Sequence, residues 1–239
     1  MLKVFISGLG AQTGKTLVTA GLAATMQSLS YSTSVYKPIQ TGAAGLNGFK
    51  RSQDLMTIKT IDPNILTQAT YVMCGKSSPF VSSYEDNIKI DINVIYDEFI
   101  SGVNLADCNI VEGANSISAP IARNFTEIDI VKMLKLPLIL VVNPAKTPID
   151  NVISGLHYIK TSNVDFSGII INQYDENSEN IEEKYFPQII KEYSNAEILG
   201  VLPDYGDIKM PDPEVLIADI LNKVNIEKVF ALKIAKLNM

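Results

Sequence analysis

The residues best suited to chemistry form a glycine-rich run near the start of the chain, Gly8-Leu9-Gly10-Ala11-Gln12-Thr13-Gly14-Lys15-Thr16. Glycines let the backbone N–H groups of such a run turn inward around phosphate oxygens, and a helix that begins at its end adds positive potential. Lys15 would then reach the outer phosphates of a nucleotide, and the Thr16 hydroxyl would ligate Mg²⁺. The spacing from Gly8 to Gly14 is one residue longer than the standard pattern, but the final Gly-Lys-Thr is intact. We therefore predict a nucleotide-binding loop, and the alternative is a glycine-rich turn with a surface lysine. The predicted nucleotide contacts are Gly10, Ala11, Gln12, Thr13, Gly14, Lys15, Thr16 and Leu17.

Two acidic residues are candidates for holding a metal ion beside this loop. Proteins bind Mg²⁺ through one or two carboxylates together with phosphate oxygens and waters. Glu112 ends the apolar run Asn109-Ile110-Val111, which places it at the carboxyl edge of a sheet, where ligands bind in doubly wound folds. Asp54 follows the second predicted strand. We predict a metal site formed by Thr16, Asp54 and Glu112, and an ordinary solvated acid is the alternative for each carboxylate.

A second lysine, Lys37, ends the second predicted strand in the run Lys37-Pro38-Ile39-Gln40-Thr41-Gly42. Its side chain would project over the same sheet edge as Lys15. Two cations around one triphosphate suit a reaction in which negative charge moves between oxygens. The residue pattern thus indicates phosphoryl transfer, although lysines at strand ends are common.

Apolar runs of strand length alternate with longer amphipathic stretches, as is typical of βα units around a parallel sheet. We predict strands at 4–7, 34–36, 109–111, 138–142, 168–171 and 197–200. Helices are predicted at 14–29, 127–134, 148–159, 180–193 and 214–224. Strands rich in Val, Ile and Leu without polar alternation require helices on both faces. The expected fold is a doubly wound, mostly parallel α/β sheet flanked by helices, similar to that of P-loop nucleotide-binding proteins.

The alternation continues along the chain without a linker or repeat, so residues 1–239 are expected to form a single domain. Residues 41–102 are less regular and rich in Ser, Asn and Asp, which favours an insertion that carries site loops. Residues 225–239 form an apolar C-terminal extension that we expect to dock on the core as an amphipathic helix, with partner contact as the alternative.

Composition excludes several functional classes. The chain has 239 residues, 46% hydrophobic and 19% charged, which is ordinary for a globular domain and excludes disorder. A net charge of −6 provides no broad cationic face for nucleic acid. Two cysteines and one histidine are too few for a disulfide framework or a zinc site. The apolar runs are shorter than the roughly 20 residues of a membrane span, and no secretory core precedes Gly8. We therefore expect a cytoplasmic protein that binds neither membrane nor nucleic acid.

Five segments in a fixed order resemble dethiobiotin synthetase from about residue 2 to residue 204. Each segment alone is only moderately specific, whereas the ordered set is hard to obtain otherwise. The segments are the loop that ends in Gly14-Lys15-Thr16, Lys37-Pro38-Ile39-Gln40-Thr41-Gly42, Ser78-Pro79-Phe80 followed by Ile90-Asp91, Val111-Glu112-Gly113-Ala114, and Leu136-Pro137-Leu138-Ile139-Leu140-Val141-Val142.

The resemblance implies an ATP-dependent ring closure in biotin biosynthesis. In that family, 7,8-diaminopelargonate takes up CO₂, in exchange with bicarbonate, as a carbamate on one amine. ATP then phosphorylates the carbamate, and the second amine displaces phosphate to form the cyclic urea of dethiobiotin. Such a reaction depends mainly on positioning and charge neutralisation. Lys15, Lys37 and Mg²⁺ would supply these.

Further site residues follow from the resemblance alone. It implies that Thr41 hydrogen-bonds the carbamate or the substrate amine, that Asn172 contacts the adenine edge, and that Leu202-Pro203 borders the base. Family members are homodimers in which the carboxylate tail of the substrate meets a helix N-terminus of the neighbouring subunit. The matching segment here is Thr147-Pro148-Ile149-Asp150-Asn151, and Tyr185 is a weak match to a tyrosine near the tail.

The sequence also departs from the family pattern. Leu9-Gly10-Ala11 replaces Thr-Asp-Thr, Asn115-Ser116 replaces Gly-Gly, and Lys146-Thr147-Pro148 replaces a glycine-rich turn. Asp150 adds a negative charge where an anion should bind. A divergent paralogue that binds ATP but acts on another substrate therefore stays open. A nucleotide switch of the partitioning type agrees less well with the sequence, since Gly10 stands where those proteins carry a signature lysine. Cobyrinate-type amidoligases need a glutaminase domain that does not fit after Leu202.

Overall fold

The computed structural model describes residues 1–46, 49–206 and 210–232. Its strands are β1 (Leu2–Gly8), β2 (Thr33–Gln40), β3 (Ala44–Leu46), β4 (Phe49–Arg51), β5 (Leu66–Val72), β6 (Cys108–Glu112), β7 (Pro120–Ala122), β8 (Phe125–Thr126), β9 (Leu138–Val142), β10 (Phe166–Tyr174) and β11 (Ile198–Pro203). Its helices are α1 (Lys15–Ser28), α2 (Gln53–Ile61), α3 (Pro79–Glu85), α4 (Ile92–Gly102), α5 (Glu127–Leu134), α6 (Ile149–Thr161), α7 (Ile181–Lys184), α8 (Phe186–Tyr193), α9 (Pro213–Lys223) and α10 (Ile226–Val229).

Seven strands form one parallel sheet in the order β11-β10-β9-β1-β6-β2-β5. The predicted doubly wound α/β fold is thus confirmed. The central strand β1 lies between β6 and β9, and the chain leaves β1 toward one side of the sheet before it returns to build the other. This change of direction opens a crevice at the carboxyl ends of the central strands, where ligands bind in such folds.

Alternate residues of the strands support two hydrophobic cores, one on each face of the sheet. Val4 and Ile6 of β1 face one core, and Phe5 faces the other, as the period-two geometry of a strand requires. The first core includes Val18, Leu22, Ile58, Ile110 and Ile220 from α1, α2, β6 and α9. The second includes Phe99, Ile128, Val152 and Phe186 from α4, α5, α6 and α8. Both faces of the sheet are therefore covered, which explains the uninterrupted apolar runs in the sequence.

The predicted helix 180–193 is wrong in its continuity, because the structure has two helices that meet at Tyr185. Pro187 lies in the first turn of α8, where its missing N–H costs nothing. Inside one continuous helix the same proline would remove a hydrogen bond and clash with the preceding turn. The chain therefore ends α7 and starts a new helix.

The irregular region 41–102 contains one strand of the main sheet, β5, that the sequence pattern does not predict. β5 is an edge strand paired only with β2 among the described residues, and its side chains are exposed or half-buried. Polar residues in Leu66–Val72 break the apolar run that marks the central strands. Exposure at the sheet edge thus explains why this strand lacks their hydrophobic signature.

The C-terminal extension contacts the first core through Ile226, Val229 and Phe230, which are buried. α10 covers only four residues of the predicted tail helix, and Ile234 and Leu237 lie outside the described residues. Within the described part of the chain, no helix is long and apolar enough to cross a bilayer.

Candidate functional site

The glycine-rich run connects β1 directly to α1, as the sequence predicts. Gly14 has φ 83°, and a Cβ there would lie 1.8 Å from the side-chain nitrogen of Asn172. A Cβ on Gly8 would lie 2.5 Å from the Thr13 hydroxyl. Only glycine fits both positions, because one backbone is left-handed and both are tightly approached. The loop thereby brings its backbone to the start of α1, whose first N–H groups have no partner within the helix.

Lys15 lies across this loop. Its Nζ donates to the carbonyl oxygens of Gly10 at 2.9 Å and Asn115 at 2.6 Å. The side chain is buried, and burial lowers the pKa of Lys15 from its ordinary value, although nearby Glu127 and Glu112 oppose this effect. The ammonium of Lys15 is therefore held between the loop and the turn after β6.

Lys37, Asp54, Glu112 and Thr16 form one cluster at the carboxyl ends of β2 and β6. Lys37 Nζ lies 2.6 Å from Asp54 Oδ2 and 2.6 Å from Glu112 Oε1. The Thr16 hydroxyl donates to Glu112 Oε1 at 2.9 Å. The structure thus brings together the four residues that the sequence selected as phosphate and metal ligands.

The lysine of this cluster stays charged despite its burial. Burial works against the ammonium, but Glu112 and Asp54 outweigh it and raise the pKa of Lys37 above its ordinary value. Lys37 also donates to the Gly113 carbonyl at 3.2 Å. The cluster therefore holds one fixed positive charge between two carboxylates.

Unsatisfied oxygens around the loop fit a metal and phosphate site. Glu112 Oε2, Thr13 Oγ1 and Asn115 Oδ1 are buried without a hydrogen-bond partner among the residues that the structure describes. Such groups are rare in folded proteins, because an unpaired buried oxygen costs free energy. No group of three or more His, Cys, Asp or Glu side chains suited to a metal exists among the described residues. Two carboxylates and a hydroxyl nevertheless fit Mg²⁺, which takes its remaining ligands from phosphates and waters.

The remaining predicted nucleotide contacts lie at the same sheet edge, and their roles remain predictions. Asn172 is fully buried and donates to the Thr13 carbonyl at 3.2 Å, directly behind Gly14. Pro203 ends β11 and lines an open cleft of about 690 Å³ together with Tyr174 and Asn177, a volume typical of ligand pockets. The Leu17 side chain packs in the core, which leaves only its backbone to face a ligand.

Two predicted substrate contacts have less support from the local geometry. Thr41 follows β2, and its carbonyl accepts a hydrogen bond of 2.8 Å from the Gln40 side chain, while its hydroxyl makes no hydrogen bond within the described part of the chain. At the start of α6, the N–H of Ile149 donates to Glu182 at 3.2 Å. A carboxylate of this chain therefore already interacts with the helix end proposed for the substrate tail. Tyr185 is exposed nearby, between α7 and α8.

The altered loop residue Leu9 has an apolar neighbour on α6. A Cβ on Gly155 would lie 2.5 Å from a methyl carbon of Leu9, so the leucine side chain packs closely against α6 at this glycine. Leu9 also forms a β-bridge with Ser116 in the other altered loop. Two of the three altered segments thus contact each other.

Glu127 is a buried acid that the sequence analysis places at the start of a helix but does not select. Its carboxyl group accepts hydrogen bonds from the Ser7 hydroxyl and from the N–H groups of Ala114 at 2.7 Å and Asn115 at 3.2 Å. Burial raises the pKa of Glu127, and these hydrogen bonds and Lys15 oppose that rise. An acid in a first helical turn is usually a solvated partner of the helix dipole, so the sequence pattern contains no signal for this role.

Comparison with known proteins identifies both the family and the fold. A family model described as an AAA domain matches residues 3–212. The ATP-dependent dethiobiotin synthetase of Bacillus subtilis is 24% identical over 221 residues, which cover 91% of this chain and 94% of the relative. That of Clostridium botulinum is 30% identical over 181 residues, which cover 73% and 80%. The septum site-determining protein MinD of Pyrococcus horikoshii, solved with Mg-ADP, has a TM-score of 0.53 and 16% identity over 91% of this chain and 86% of its own. At that identity the last likeness shows the fold alone.

Proposed function

We propose that this chain, which belongs to the AAA domain family of dethiobiotin synthetase, is itself an ATP-dependent dethiobiotin synthetase. The proposal starts from its being a P-loop ATPase of that type. In the proposed reaction, a carbamate oxygen on 7,8-diaminopelargonate attacks the γ-phosphorus of ATP, and the bond to ADP breaks. The second amine then attacks the carbamoyl carbon, loses a proton and expels phosphate. The product is the cyclic urea of dethiobiotin.

The clustered lysines and carboxylates carry this proposal. Lys15 would neutralise negative charge on the outer phosphates, and Lys37 would neutralise charge near the oxygen that receives the phosphoryl group. Thr16, Asp54 and Glu112 would hold Mg²⁺, which supplies charge neutralisation when bound. Thr41 would orient the carbamate, while Asn172 and Pro203 would contact the base. No side-chain nucleophile is required, since the site works by positioning its reactants. The homodimer implied by the family resemblance is part of the same proposal.

ATP turnover with bicarbonate tests the proposed substrate. We expect ADP formation to depend on added 7,8-diaminopelargonate and dethiobiotin to appear in equal amount to ADP. The reason is that the carbamate of the diamine accepts the phosphoryl group, and the second amine of the same molecule then captures the phosphorylated carbamate. Coupled detection of ADP and mass spectrometry of dethiobiotin measure both products.

An analogue with a single amine is the matched control, because it forms a carbamate but cannot close the ring. ADP formation at the same rate with and without the diamine would favour a divergent paralogue instead. Two observations give that alternative a physical basis: Glu182 hydrogen-bonds the start of α6, and the altered loops at Leu9 and Ser116 pack together.

Replacing Lys37 with methionine is expected to make the melting temperature of the protein depend on Mg²⁺ even in the absence of nucleotide. The ammonium of Lys37 lies 2.6 Å from both Asp54 and Glu112, so Lys37 and a metal ion compete for the same carboxylates. Without the lysine, the two acids repel each other and a divalent cation relieves that repulsion. Because a ligand of the folded state raises the melting temperature, millimolar MgCl₂ should raise that of the variant by at least about 3 °C and that of the wild type by less.

The matched control is Lys50→Met. This change breaks the ion pair between the half-exposed Lys50 side chain on β4 and Asp86, which follows α3. An equal effect of MgCl₂ on wild type, Lys37→Met and Lys50→Met would contradict competition at this cluster. Thermal unfolding followed by circular dichroism measures all three proteins without nucleotide.

A further inference from the structure

The surroundings of Glu127 are apolar and tightly packed. Its side chain is 1% exposed, and Phe5, Ile39, Ile121 and Ile130 line the same packed space, which has no room for a water. A carboxyl group there loses its hydration, and the hydrogen bonds that it accepts from Ser7, Ala114 and Asn115 have to offset that cost. The groups that these hydrogen bonds hold in place therefore indicate the role of the acid at position 127.

Helix capping does not account for Glu127. The start of α5 already has a capping box, in which Thr126 and Asp129 satisfy each other's backbone groups. That arrangement provides the hydrogen bonds that an N-terminus needs. The carboxyl group of Glu127 instead points away from its own helix, toward the turn after β6.

The contacts of Glu127 lead directly to the phosphate loop. One carboxyl oxygen, Oε2, accepts the N–H groups of Ala114 and Asn115. The carbonyl of the same Asn115 accepts Lys15 Nζ at 2.6 Å. A Cβ on Gly113 would lie 2.1 Å from Glu127 Oε1, so the turn fits this carboxyl group only with glycine there. Glu127 thus holds two consecutive N–H groups of the turn whose Asn115 carbonyl accepts the lysine.

We propose that Glu127 is a positioning residue that holds the turn 113–115 and, through the Asn115 carbonyl, keeps Lys15 aligned for the phosphates of the nucleotide. The inference rests on the nucleotide-binding part of the proposed function and not on the ring closure. A lysine without this anchor has more rotamers to lose when it contacts phosphate, and that entropy weakens binding. Because hydrogen bonds hold the turn, a neutral acceptor at position 127 should keep most of the alignment of Lys15.

Three variants test the inference through the affinity for Mg-ADP and the melting temperature. Glu127→Met keeps the volume but removes both acceptors. Glu127→Gln keeps an oxygen for the two N–H groups and an NH₂ group toward Ser7. Ser7→Ala is the matched control, since it removes the contact of the other carboxyl oxygen without touching the turn. Isothermal titration calorimetry and thermal unfolding measure the two quantities on the full chain.

We expect Glu127→Met to weaken Mg-ADP binding about tenfold and to lower the melting temperature, because the N–H groups of Ala114 and Asn115 lose their acceptor. Glu127→Gln and Ser7→Ala should bind within about twofold of the wild type. Near-normal affinity of Glu127→Met would overturn the inference, as would a Glu127→Gln variant as weak as Glu127→Met. A lower melting temperature and weaker binding in Ser7→Ala to the same degree as Glu127→Met would indicate a purely structural role. Failure of the ring closure would leave these binding results unchanged, so the two proposals fail separately.

Discussion

Replacing Lys15 with alanine is expected to reduce ATP turnover by at least about a hundredfold. The side chain is buried, and its ammonium lies between the carbonyls of Gly10 and Asn115. A cation fixed in a site that excludes water stabilises developing phosphate charge far more than one in solvent, and it needs no reorganisation during the reaction. Steady-state release of ADP at saturating ATP measures the loss.

The matched control for this variant is Lys160→Ala, which removes an exposed lysine from the last turn of α6. Its turnover should equal that of the wild type. If Lys15→Ala keeps a near-normal rate and a normal melting temperature, Lys15 does not act on the phosphates. The melting temperature of the variant also separates lost chemistry from lost folding.

Replacing Glu112 with alanine is also expected to reduce ATP turnover by at least about a hundredfold. Its Oε1 atom contacts both Lys37 and Thr16, and its Oε2 atom is buried without a partner. Loss of this carboxylate removes a proposed metal ligand and leaves Lys37 paired only with Asp54. Breaking a buried ion pair by deleting one partner costs about 3 kcal/mol, so a lower melting temperature should accompany the loss of activity.

Glu112→Gln separates these two effects, because glutamine keeps the volume and one acceptor but not the charge. We expect the melting temperature of Glu112→Gln to be higher than that of Glu112→Ala. Glu112→Gln should nevertheless lose most of its turnover, and it should require a higher Mg²⁺ concentration for half of its maximal rate. Glu179→Gln, an exposed acid in the loop before α7, is the control and should behave as the wild type. Normal Mg²⁺ dependence of Glu112→Gln would remove Glu112 from the proposed metal site.

We expect the altered loops to affect substrate binding more than nucleotide binding. Lys15, Thr16, Lys37, Asp54 and Glu112 cluster as a phosphate site requires. In contrast, the start of α6 has Asp150 in its first turn and a hydrogen bond to Glu182. Two carboxylates there weaken the attraction that a helix N-terminus has for an anion. The diamine dependence of turnover is therefore the measurement on which the proposed substrate depends most.

Local patterns in the sequence were sufficient for the fold class and the phosphate loop. Apolar runs predicted every central strand of the sheet, because strands covered on both faces exclude polar residues. The glycines and the Gly14-Lys15-Thr16 motif predicted the turn between β1 and α1, because left-handed and tightly approached backbone is restricted to glycine. The apolar strands and the glycine-rich turn depend on residues close together in the chain, so a local sequence pattern is sufficient to predict them.

Only the tertiary structure decided which distant side chains meet. Lys37 contacts Glu112, 75 residues away, because β2 and β6 lie side by side in a definite register. Glu127 reaches the turn at Ala114 and Asn115 through the packing of α5 on the sheet. The pairing of the edge strand β5 with β2 and the hydrogen bond of Glu182 with the start of α6 likewise join residues that are distant in the sequence. Strand pairing and helix packing bring such groups together by burial and hydrogen bonding across the whole fold, and no local periodicity in the sequence records those partners.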